Sequence, residues 1–289
     1  MTERLSVAPS AETHSQAPEK AQTYLKNLLQ GTEQAPGLLD RLQTVSTEEE
    51  LDALRPLVEN IPYTLGALLL TGHADALSLS GVCVPLFTKF DEAKKRVLIA
   101  HKSGSDLQTA KQAAYCLEFA WQLSLEHPEL AERIAQPVTH ASIEAVVRAK
   151  QKISKEQLYL HELLPNRVLK VRLLAILGEQ GKLKTLSSTD ASYLSPEVND
   201  LSCISSEWDE DFAPMEGCSP QVFSELEERF RGLQESATTL HERLNVLNPR
   251  TPITSENEPA WTAWYADFAA YEDRWMKFAF DCVGNVRYP

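Results

Sequence analysis

From Phe223 the apolar residues fall at Phe223, Leu226, Phe230, Leu233, Ala237, Leu240, Leu244 and Leu247, in alternating steps of three and four. A second run in the same rhythm follows at Trp261, Trp264, Phe268, Tyr271, Trp275, Phe278 and Cys282. A repeat of 3.5 residues keeps one seam of a helix turned toward a partner, whereas a strand alternates every two. Ser219 offers an N-cap with Pro220 at the first helical position, and Asn248-Pro249 stops the first helix. Ser255 and Glu258 frame the start of the second as a capping box, and Gly284 closes it. Two matched seams predict an antiparallel helical hairpin with coiled-coil packing over 218–289. Each arm is roughly 35 Å long at 1.5 Å per residue.

The second seam is aromatic where the first is rich in leucine. On one reading these rings fill the hairpin and its contact with the rest of the protein. On the other they exceed what one narrow helix covers, since Tyr265 and Phe280 fall off the repeat. Trp and Tyr dominate the energetics of many interfaces. Trp261, Trp264, Tyr265, Phe268, Tyr271 and Trp275 are therefore the candidate partner-binding residues, the partner being another protein or a second copy of this chain.

Upstream the pattern is also helical, which predicts a mainly α protein. Residues 1–18 read as a disordered tail of Ser, Ala, Thr, Glu, Gln and Pro, and 19–186 as a helical domain. Ser46 or Thr47 ahead of Glu48, Glu49 and Glu50 marks a helix start. Over 82–101 a small β-hairpin competes with a helix: Val82, Val84, Leu86 and Thr88 alternate, Arg96 to Ala100 is β-prone, and Pro85 suits an edge strand. Ser105 opens a long helix that ends at His127-Pro128, and Ser142–Lys152 and Ser154–Leu164 read as two more. Pro165–Gly178 is apolar nearly all round, as expected of a central helix of the first domain. Residues 187–217 lack a sustained period and hold Glu207, Asp209, Glu210 and Asp211 around Trp208 and Phe212, so they read as an acidic junction.

Compartment follows from what the composition excludes. At 43% hydrophobic the chain buries too much to be disordered. Its five cysteines are too sparse for a disulfide framework. The most apolar region, Ile61–Thr88, is split by Asp75 into runs of fourteen and thirteen residues. Both fall short of the roughly 20 a membrane helix needs. A cytoplasmic protein without a membrane span is expected.

Charge is unevenly placed. Residues 190–289 hold 19 acids and 7 bases, while the preceding 189 residues are close to neutral. Nine bases stand against four acids between Glu144 and Lys184. They read either as solvated faces lying near the acidic C-terminal region, or as a nucleic-acid patch at Arg167, Lys170, Arg172, Lys182 and Lys184. The second reading lacks a basic recognition helix after Ser187, and a net charge of −13 opposes phosphate binding.

No nucleotide-binding, nucleophile-elbow or metalloprotease signature occurs, and no CxxC or EF-hand loop. No histidine stands three or four residues from another histidine or a cysteine, so no metal or cofactor is expected. The favoured expectation is a non-enzymatic adaptor or protein-interaction subunit of a larger assembly. The alternatives are a nucleic-acid-associated regulator and an enzyme with a dispersed site around His101, His140 or His161.

Overall fold

The computed structural model describes residues 17–72, 79–97, 107–136, 164–195 and 219–285. It is mainly helical, as the periodicity predicts, and divides into two compact units, 1–153 and 154–289.

In the first unit, α1 (Ala17–Gln30) leads through a tight two-stranded turn, β1 (Gly31–Thr32) paired antiparallel with β2 (Ala35–Pro36), into α2 (Leu38–Thr44). Helix α3 (Glu48–Leu70) is the centre of this unit. It packs against α4 (Leu79–Val97), α5 (Gln108–Glu126) and α1, and all ten residues from Ile61 to Leu70 are buried. Its start is the capping box expected around Glu48–Glu50. Thr47 Oγ1 accepts from the Glu50 N–H at 3.2 Å, and the Glu50 carboxylate accepts from the N–H groups of Ser46 and Thr47. These contacts, led by Ser46, hold the Glu50 carboxyl below its usual range. Thr47→Ala is expected to destabilise this unit by about 1 kcal/mol, read as a lowered urea midpoint; an unchanged midpoint would show that the cap is dispensable.

The competition over 82–101 is resolved against the hairpin: 79–97 is one helix, and the two short strands lie at 31–36 instead. Cys83, Leu86, Phe87, Phe90 and Ala93 are buried at helical spacing, and α3 and α5 cover that stripe. Pro85 and Val84 fall on the exposed side, where the missing N–H is tolerated. Tertiary cover outweighs local β preference here. The chain's own side chains also tie α4 down. Arg96 donates to the Leu42 and Gln43 carbonyls at the C-terminal end of α2 at 2.7 and 3.2 Å, and Lys111 pairs with Asp91 at 3.1 Å. Cys83 and Cys116 are buried free thiols, and burial, helped by the nearby Glu118, pushes Cys83 up to about 12.

The second unit contains α6 (Leu164–Glu179), α7 (Ser188–Leu194), α8 (Pro220–Leu247) and α9 (Glu258–Asn285). The division between units falls upstream of 187–217, the stretch expected to be a junction, and α6 groups with the C-terminal helices rather than with the N-terminal domain. Part of that stretch is itself helical, because Ser187 and Asp190 form a capping box for α7. Residues 17 and 18 of the tail expected over 1–18 begin α1 instead; the rest of that tail, the expected helix at 142–152, all but the last residue of the one at 154–164, the acidic cluster at 207–211 and His101, His140 and His161 lie outside the described residues. Among the described residues no helix is long and apolar enough to cross a membrane.

Candidate functional site

The hairpin forms with the expected seams. On α8, Leu226, Phe230, Leu233, Ala237, Leu240 and Leu244 are buried; on α9, Trp261, Trp264, Phe268, Tyr271, Trp275 and Phe278 are buried. Cross-contacts set the register. The Trp264 indole N–H donates to the Leu240 carbonyl at 3.0 Å, Arg243 pairs with Asp267, and the Phe230 ring lies 6.2 Å from Trp275 and 5.8 Å from Phe278. From the Leu240–Trp264 contact to the Phe230–Trp275 contact the numbers fall on α8 and rise on α9, so the arms are antiparallel.

The candidate partner-binding rings are not an open face. Trp261, Trp264, Tyr265, Phe268, Tyr271 and Trp275 are all buried, none more than 9% exposed. Tyr265, which falls off the first repeat, stacks on Trp261 with centroids 5.7 Å apart, and burial pushes its phenol up to about 12. One narrow helix indeed does not cover all these rings; a second helix of the same chain does. Glu258, Thr262, Tyr265, Ala269, Glu272 and Met276 form another three-four line along α9, each buried or half-buried.

This second line faces α6, again antiparallel. Near one end the chains approach at Gly178, where a Cβ would lie 2.8 Å from Thr262 Oγ1, so only glycine fits without displacement. Near the other, Arg167 grips Glu272 through Nε at 3.0 Å and Nη2 at 2.7 Å. Arg172 pairs with Asp273, and Lys184 pairs with Glu258 at 3.0 Å. Three of the five residues of the candidate nucleic-acid patch are thus committed to carboxylates of α9. Lys170 is buried, 7% exposed, and Lys182 is half-buried. Of the two readings of the basic stretch, proximity to the acidic C-terminal region is the one the geometry favours.

The Lys184 side chain, followed by the Lys184 and Leu183 backbone N–H groups, holds the Glu258 carboxyl below its ordinary range. A carboxyl depressed on folding contributes stability that is present above its unfolded pKa of about 4.3 and disappears as pH falls through its folded value. The stability gap between wild type and Lys184→Met should therefore narrow as pH drops from neutral to about 3, measured by urea unfolding. A gap independent of pH would remove the charge from the account.

What does remain open lies on the outer side of the hairpin. A groove of about 590 Å³ is lined by Arg229, Gly232 and Leu233 of α8 and by Arg274, Lys277 and Phe278 of α9. Leu233 and Phe278 are buried and form its floor. The Arg229 guanidinium sits 5.6 Å above the Phe278 ring, a cation–π contact. Arg274 and Lys277 are exposed, and among the described residues their side chains make no ion pair or hydrogen bond. Gly232 keeps the trough open, since a Cβ there would meet nothing within 4 Å. One turn further along α8, Ser236 donates its hydroxyl to the Gly232 carbonyl at 2.8 Å.

Sequence reasoning passed over these residues, because only the packing of α8 against α9 brings Arg229 and Gly232 to the same groove as Arg274 and Lys277. Exposed cations held on one rigid face suit a carboxylate-bearing ligand. Among the described residues no three His, Cys, Asp or Glu side chains are grouped as a metal would require. In comparisons with known proteins, no family model, no curated protein and no solved structure matched this chain.

Proposed function

We propose that the chain is a non-enzymatic protein-interaction subunit of a larger cytoplasmic assembly, docking through the outer face of α8 and α9. The observation that carries this reading is the cationic groove of Arg229, Arg274 and Lys277. The last hundred residues carry 19 acids against 7 bases, and three of those seven line this groove. Arg274 and Lys277 are exposed, and exposed charges contribute little to folding, while a rigid pair of packed helices holds them side by side.

The reading is tested by the native mass of the protein. Gentle lysis followed by sedimentation should place the chain in a particle well above its 32.3 kDa monomer, with Arg274→Glu/Lys277→Glu shifting it to lighter fractions. Migration of the wild type as a free monomer at its cellular concentration would overturn the proposal.

A further inference from the structure

We draw no further inference here: the strongest candidate, the groove between α8 and α9 lined by Arg229, Arg274 and Lys277, belongs to the docking face already proposed, and nothing in the structure shows what covers it.

Discussion

Arg167→Ala is expected to destabilise the C-terminal unit by about 3 kcal/mol. The Glu272 carboxylate that it grips is fully buried, and the arginine side chain is 12% exposed. Removing the arginine strands a charge in the interior between α6 and α9, which costs more than the pair itself contributes. The double variant Arg167→Met/Glu272→Leu should recover most of the loss, because paying desolvation for neither charge suits a packed helix interface. Denaturant unfolding of the three proteins decides the matter. A double variant as unstable as the single one would mean that the two-donor grip of Arg167 on Glu272 Oε1, and not the abandoned charge, holds α6 to α9.

Trp264→Ala should cost about 4 kcal/mol, within the usual range for emptying a buried indole site. Trp264 is 1% exposed, lies 4.9 Å from the Phe268 ring and donates to the Leu240 carbonyl. Trp264→Phe should cost less than half as much, since Leu240 keeps its acceptor role within α8. This experiment also discriminates between roles for the aromatic seam. A binding surface would lose a partner while the melting temperature held; a zipper loses the melting temperature. A fully stable Trp264→Ala protein would contradict the packing described for the hairpin.

The hairpin was legible because its signal is local and periodic: both seams, the Ser219 cap and the stop at Asn248 appear where the spacing puts them. The second line on α9 was equally present in the sequence, but the aromatic repeat masks it, and its polar members, Glu258, Thr262 and Glu272, look solvent-facing until their partners are known. Those partners lie 74 to 105 residues away, beyond the reach of spacing rules. The same distance explains why α6 reads as the heart of the first domain. A helix without a polar face announces burial on several sides but not by which neighbour. Residues 82–97 show the opposite failure, local alternation overruled by the stripe that α3 and α5 cover. The groove combined both difficulties, since Arg229, Gly232, Arg274 and Lys277 mean nothing apart and acquire a shared location only through the packing of α8 against α9.

Helix α9 is the wall shared by two antiparallel neighbours, and it is translated last of the three. A ribosome that has finished α6 still has about a hundred residues to make before Asn285, roughly 5 to 20 seconds at ordinary elongation rates. Throughout that interval Val168, Val171, Leu174 and the rest of an almost wholly apolar helix lack the surface that later covers them. The nascent chain is thus a natural client for chaperones that shield hydrophobic segments, and its yield in a cell depends on how long that vigil lasts as well as on how stable the finished bundle is.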